Sequence, residues 1–307
     1  MNPLVFALPI FFIAIAFEVW LLHRKKKLAL YDLADALTSA HMGIFMLIFS
    51  VFINVAVYTV VYDNFRLAEW PMDSIVLWVL ALLFYDFCYY WVHRLGHEVS
   101  FVWASHIVHH SSEYYNLSTA MRQTASGKAV VWIFYLPMAL MGVPPKMFVI
   151  VGLIDLLYQF WVHTELVGRM GWFDRVFVSP SNHRVHHGQN DYCIDKNYGG
   201  LLVIWDRMFG TFAEERVGEK ITYGVRKPLQ SYNILWGNLH YYVDLWKLAG
   251  QTKGWRAKLG VWMAPPGGWT DQPIEHFDEK NFTRFAPSST LRGYAAAQSA
   301  VLLIFAV

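Results

Sequence analysis

Residues 75–110 read IVLWVLALLFYDFCYYWVHRLGHEVSFVWASHIVHH, an apolar run that passes without a break into two groups of histidines. From Ile75 to Val92 the run carries a single charged side chain, Asp86. A helix needs about 20 apolar residues to cross the hydrocarbon of a bilayer, so this stretch can span one. At its end His93 and His97 stand at i and i+4, one face of a helix, and His106, His109 and His110 follow at i, i+3 and i+4. The expected product is a membrane helix that ends in metal-ligating side chains.

Two further segments upstream have spanning length: Pro3 to Leu22, interrupted by Glu18, and Met42 to Val61, which carries Ser50 and Asn54. Downstream, Ala129 to Met141 and Met147 to Val162 flank Gly142-Val143-Pro144-Pro145, which stops one helix and starts the next, so the pair is expected to form a hairpin that spans or re-enters. Leu291 to Val307 is apolar after Arg292 and is expected to be a last helix. The chain is 56% hydrophobic and 16% charged, with mean hydropathy +0.30. Soluble domains run at roughly 45–50% apolar and about 25% charged, which favours the membrane reading. The fold expected is thus all-α: a polytopic membrane helical bundle in one domain over 1–307, with a histidine-box core at about 75–212, a cytoplasmic histidine-rich helical cap and a C-terminal apolar helix at 291–307.

Orientation follows from charge. The cluster His23-Arg24-Lys25-Lys26-Lys27 belongs on the cytoplasmic side by the positive-inside rule, and alternation then returns the chain to the cytoplasm near His93. The loop Tyr62 to Trp70, with Arg66 as its basic residue, suits the outer side. A bacterial inner membrane and the endoplasmic reticulum both fit this layout. Asn233 to Leu248 is amphipathic, suited to lying on a membrane surface. A net charge of +2 without a groove-sized basic patch argues against nucleic acid as a partner.

Metal chemistry must come from histidine, because two cysteines, Cys88 and Cys193, cannot build a disulfide framework or a thiolate metal site. Nine of the thirteen histidines lie between His93 and His187. His183, His186 and His187 repeat the i, i+3, i+4 spacing, and His163 stands at the end of the second hairpin arm. Neutral imidazole ligates iron, zinc and copper, and helical spacing delivers several ligands to one point. Nine nitrogens exceed what one metal can use, so two neighbouring metal ions are expected. Few carboxylates accompany them, which suits a redox metal that binds O₂ better than a structural zinc. Iron is expected in the working protein; purified protein could carry zinc, which imidazoles bind more tightly than Fe²⁺. His23, His41, His240 and His276 lack such partners and read as ordinary polar residues.

Several polar residues near the boxes could hydrogen-bond a ligand's second ring nitrogen: Glu113, three beyond His110; Asp86, two turns before His93; and Asp155 and Gln159, which with His163 form an i, i+4, i+8 stripe. Glu98, directly after His97, is a candidate for the same task or for catalysis. A zinc-protease helix would need His-Glu-x-x-His, and Arg94 holds the glutamate position. Haem would use one or two axial histidines and leave the others unexplained.

With these boxes the chain resembles the fatty acid hydroxylase and sterol desaturase superfamily of membrane di-iron oxygenases. The carrying stretches are FCYYWVHRLGHE (87–98), HIVHHSSEYYNLSTAMRQ (106–123), YQFWVHTE (158–165) and HRVHHGQNDYCIDKNYGGLLVIWDRMFGTF (183–212). SSEYYNLSTA and YCIDKNYGG narrow the likeness to the branch that oxidises alkylglycerol ethers. The resemblance implies hydroxylation of the ether's alkyl α-carbon by O₂, giving a hemiacetal that collapses to a fatty aldehyde and glycerol. It also implies tetrahydrobiopterin as electron source, a membrane lipid as substrate, and a need for the eight box histidines and Glu98. Asn182 departs from the pattern, which has a further histidine there. The alternatives are a sterol or fatty-acyl hydroxylase or desaturase fed by an electron-donor protein, and a non-catalytic membrane protein that binds metal.

Overall fold

A computed structural model describes residues 3–50, 53–268, 277–278 and 282–306. The regular structure of the described residues is helical, with no strand beyond two isolated bridges, Phe177 to Leu202 and Gly188 to Tyr223. Thirteen α-helices follow in order: α1 Pro3–Arg24, α2 Leu33–Ser50, α3 Ile53–Phe65, α4 Ile75–Glu98, α5 Ser100–His110, α6 Lys128–Val131, α7 Leu136–Leu140, α8 Pro145–Trp161, α9 Pro180–His187, α10 Ile204–Phe209, α11 Ile234–Gln251, α12 Trp255–Met263 and α13 Ser289–Ala306. The all-α expectation holds. His276 lies outside the described residues.

Among the described residues one helix, α4, is long and apolar enough to cross a membrane. It starts under a Ser74 cap, whose hydroxyl accepts from the Leu77 amide at 3.4 Å, and stops at Val99, which is extended. Val99 also precedes α5 directly, so a single extended residue makes the corner that turns His106 back toward His93 and His97.

The first hairpin arm differs from a continuous helix. It comprises α6, a 3₁₀ segment Trp132–Tyr135 and α7, with Pro137 at the start of α7. Proline cannot donate to the preceding turn, which explains the break. Such an arm is too short to cross about 30 Å of hydrocarbon, while α8 continues unbroken for 17 residues. Gly142 makes the bend at φ 94°, its backbone against the Ala68 carbonyl, where any Cβ would collide.

The hairpin and α3 enclose an apolar core with α4. Tyr58, Ala81, Met138, Ala139, Val143, Met147 and Val151 are buried there, and the Tyr58 hydroxyl donates to the Val143 carbonyl at 2.8 Å. Burial of each large side chain contributes roughly 1.5–3 kcal/mol. Glu18 on α1 accepts from Tyr31, from the Leu117 amide and from Thr164 just after His163, so α1 is tied to the site by a buried carboxylate.

Candidate metal centre

The nine histidines from His93 to His187 collect into two groups. His93, His97, His106, His110 and His186 form one, and His109, His163, His183 and His187 the other; within each group one ligand atom per residue lies within 4.8 Å of all the rest. His23, His41 and His240 join neither.

Helix geometry explains how each HxxHH box serves both groups, which corrects the expectation that a box aims at one point. Residues i and i+4 differ by about 40° around a helix, whereas i+3 lies about 60° to the other side of i. In α5 the i, i+4 pair His106 and His110 enters the five-histidine group, and His109 turns into the four-histidine group. In α9 the pair His183 and His187 enters the four-histidine group, and His186 crosses to the five. The two helices therefore exchange one histidine each. The groups share a wall, with the His110 and His187 rings stacked at 4.3 Å between centroids.

Four Nδ1–H groups donate to backbone carbonyls: His93 to Tyr198 (2.8 Å), His186 to Lys196 (2.9 Å), His109 to Arg122 (2.9 Å) and His163 to Gln159 (2.8 Å). Each such bond fixes the tautomer and leaves a lone pair on Nε2. Yet the Nε2 atoms of His163 and His109 face one another at 3.4 Å, His183 approaches His163 at 3.0 Å, and His93 and His110 each approach His106 at 3.1 Å. Converging lone pairs repel unless a cation lies among them. His97 Nε2 is also buried with no hydrogen-bond partner among the described residues. The donor set thus fits a bound metal ion in each group, held by imidazole alone.

Electrostatics agree. Burial pushes the imidazole of His109 down to about 4 and holds His106, His110, His163, His183, His186 and His187 well below the usual histidine range. All are neutral at physiological pH, the form that ligates.

Two of these carbonyls, those of Lys196 and Tyr198, come from unusual backbone. Asp195 and Asn197 adopt φ 57°, a left-handed conformation in which asparagine and aspartate are enriched. Asn197 fixes the turn by donating to the Asn182 and Ala213 carbonyls. Asn182 itself closes a capping box with Ser179 at the start of α9, which gives this departure from the family pattern a structural role. Arg122 is buried against Asp35, Ser39 and Ser111 and presents its carbonyl to His109; removing either charge of the buried Asp35–Arg122 pair costs about 3–5 kcal/mol. Tyr115 covers the four-histidine group, its ring 5.3 Å from that of His187 and its hydroxyl donating to Val162. Arg122, Tyr115, Asn197 and Tyr198 carry no ligand spacing, and their only trace in the sequence is that they lie in the stretches surrounding the boxes.

The polar residues expected to bond a ligand nitrogen do other things. Asp86 accepts from the Leu201 and Leu202 amides and the Trp205 indole, so it holds the 201–205 segment and no histidine. Glu113 accepts from the Phe285 amide at 2.6 Å and ties down the C-terminal segment. Gln159 serves His163 through its backbone carbonyl, while its side chain donates to Asp155. Glu98 is not among the grouped ligands: its partly exposed carboxylate pairs with Arg94 at 2.9 Å.

A cavity of about 540 Å³ opens beside both groups. His93 and His106 from one, with His109 and His163 from the other, form part of its wall, and Phe11, Met46, Val55, Tyr58, Phe148 and Leu153 extend it as apolar surface. Its polar lining includes Ser105, Gln123, Thr124, Asp155 and Gln159.

Residues 78–211 match the family model described as fatty acid hydroxylase. Alkylglycerol monooxygenase of Danio rerio is 44% identical over 268 residues, covering 86% of this chain and 59% of that protein. Its Homo sapiens counterpart is 40% identical over 284 residues, 89% and 63% of the two chains. An ornithine lipid hydroxylase of Rhizobium tropici is 32% identical over 152 residues, 49% and 45% of the two. The chain spans about three fifths of the length of the alkylglycerol monooxygenases it matches. No solved structure matches. The family model falls on the segment that supplies all nine grouped histidines, so the site lies in the part of the chain that is similar to fatty acid hydroxylases.

Proposed function

We propose that this chain is an O₂-dependent membrane monooxygenase that hydroxylates a lipid carbon, acting on the ether-linked alkyl carbon of alkylglycerols. The observation that carries it is the pair of buried imidazole groups opening together on one apolar cavity. Its likeness to alkylglycerol monooxygenases supports the ether lipid as substrate. Iron is the metal proposed for both groups, and tetrahydrobiopterin the electron source. Two iron ions bound there would supply the electrons that activate O₂ for insertion of one oxygen atom into a C–H bond.

The protein's own contribution is placement and exclusion. The apolar wall holds the alkyl chain and keeps water from the reacting carbon, as lipid pockets of this size do. Gln123, Thr124 and Gln159 line the cavity and offer hydrogen bonds to the glycerol hydroxyls. Four backbone carbonyls keep the ligating nitrogens unprotonated and aimed. Glu98 works at a distance: it pairs with Arg94, Arg94 donates to the Tyr90 hydroxyl, and Tyr90 meets Thr211, which donates to Asp206 beneath Tyr198. It is a positioning residue in this reading.

The chain is proposed to be multi-pass, with the metal groups at the cytoplasmic face of α4. On α11 and α12, exposed Leu235, Leu239, Trp246, Trp255, Leu259 and Met263 run beside Lys247, Lys253, Arg256 and Lys258, a combination suited to an anionic membrane surface. Both helices pack on α5, so the lipid surface and the metal ligands share one element.

The deciding experiment incubates the purified, metal-loaded protein with tetrahydrobiopterin, O₂ and a labelled alkylglycerol. Release of fatty aldehyde is expected. Full metal loading with no aldehyde would remove the ether-lipid reading and leave a hydroxylase or desaturase served by an electron-donor protein.

A further inference from the structure

In the turn after the last histidine box, backbone amides converge on two buried carboxylates. The Tyr198 and Gly199 amides donate to the two oxygens of Asp206 at 2.7 and 2.8 Å. The Leu201 and Leu202 amides and the Trp205 indole donate to Asp86 at 2.7, 3.1 and 2.8 Å. Both aspartates are fully buried, and neither forms an ion pair among the described residues. A buried carboxylate without a cation needs such donors to be tolerated, so the turn and the two acids stabilise one another.

The glycines at the centre permit the approach. A Cβ at Gly199 would lie 2.4 Å from the Leu202 carbonyl oxygen and 3.0 Å from Asp206 Oδ2; one at Gly200 would lie 2.8 Å from the Tyr89 ring and 3.1 Å from Asp86 Oδ1. Thr211 adds a hydroxyl to Asp206 at 2.7 Å. Held between Asp86 on α4 and Asp206 on α10, the segment presents the Tyr198 carbonyl to His93 and the Lys196 carbonyl to His186. Among the described residues no hydrogen bond joins this brace to the four-histidine group, in which the Nδ1 atoms of His109 and His163 are held instead by Arg122 and Gln159.

We propose that Asp206, assisted by Asp86, is a positioning residue for the five-histidine group alone, acting through the Tyr198 carbonyl on the orientation and tautomer of His93. The inference rests on the reading that each group binds a metal ion. An asparagine at 206 keeps one acceptor and turns an NH₂ toward the other amide, so the turn relaxes and His93 loses its fixed acceptor. Loss of the group that orients a ligand lowers metal affinity by about 10–100-fold.

The test titrates purified full-length protein, stripped of metal, with Co²⁺ and follows its visible absorption bands together with bound stoichiometry. Wild type is expected to take up two ions. Asp206→Asn should weaken one binding step by about 10–100-fold and leave the other unchanged, and Thr211→Val should weaken the same step by a smaller factor. Asp35→Asn, which loosens Arg122 and through it His109, should weaken the opposite step. Equal weakening of both steps in the Asp206 variant, or none, overturns the brace. Should that variant not fold, Thr211→Val decides: two unchanged steps, or two equally weakened ones, overturn it as well. Wild type that binds fewer than two ions overturns the two-metal reading itself, and the brace with it.

Discussion

The two histidine groups use one ligand type and differ in how they are backed. The five-histidine group draws on α4, α5 and α9, and two of its ring nitrogens, on His93 and His186, rest on carbonyls from a left-handed turn at 195–198. The four-histidine group draws on α5, α9 and the end of α8, is covered by Tyr115, and rests on the carbonyls of Arg122 and Gln159. One group has a nitrogen to spare and a turn that must be braced. The other has no histidine to spare and rests on helix α8 and the buried Arg122. A spare histidine with a braced turn and a set without a spare thus stand on opposite sides of a shared wall.

The sharpest way to break this comparison is to delete one ligand from each side. His183→Ala leaves three imidazoles in its group, so one metal per chain should be lost, and activity should fall beyond the roughly 10–100-fold that loss of an orienting residue costs. His97→Ala leaves four nitrogens, so metal content by elemental analysis should stay at the wild-type level although turnover falls. Equal metal loss in both variants would contradict the asymmetry.

A second effect is acid lability, which the four-histidine group makes readable through His109. An imidazole held near 4 when folded and at its ordinary value near 6.5 when unfolded takes up its proton in the unfolded chain first. Stability of the metal-free protein is then complete above about pH 6.5 and falls as pH drops toward 4, by about 1.4 kcal/mol per unit for this residue. Thermal denaturation of metal-free protein at pH 7, 6 and 5 reads it. Metal should suppress the slope, since bound nitrogen is unavailable to protons; an unchanged melting temperature across that range would count against neutral, buried ligands.

How much of this was legible in the sequence follows from what each feature depends on. The nine grouped histidines are visible because histidine is scarce and its helical spacing is a local property; α4 is visible because a long apolar run needs no partner to be recognised. The division into five and four is not visible, because whether His109 or His110 joins a given group depends on which helix lies opposite. The carbonyls of Arg122, Lys196 and Tyr198 leave no side-chain signature at all. Asp86 and Glu113 misled for a related reason: a carboxylate near a ligand in sequence can satisfy amides from a segment more than a hundred residues away, as Asp86 does with Leu201 and Glu113 with Phe285. The first hairpin arm failed as a continuous helix at Pro137, a local breaker that its apolar composition obscured.

Smaller effects sharpen the comparison through the cavity. Val149 lines it on α8 away from the histidines, and Val149→Trp should shorten the tolerated alkyl chain. A methylene's worth of pocket fit is about 1–3 kcal/mol, so long-chain alkylglycerols should lose roughly tenfold or more in kcat/KM while short-chain ones change little. A uniform loss over all chain lengths would place the alkyl group elsewhere.

The mildest test concerns Glu98, which separates direct from relayed action. Its pair with Arg94 is partly exposed, so Glu98→Gln should cost stability no more than about 0.5 kcal/mol. Metal content should be unchanged, because the carboxylate touches neither group. If Glu98 acts by holding Arg94, and Arg94 by holding Tyr90 and Thr211 above Asp206, turnover should fall several-fold with KM constant, and Arg94→Gln should reproduce the same deficit without adding to it in the double variant. Additive losses would mean that Glu98 and Arg94 act separately, and Glu98 would then have to reach the reacting centre by a movement of the α4 terminus instead of through the network beneath it.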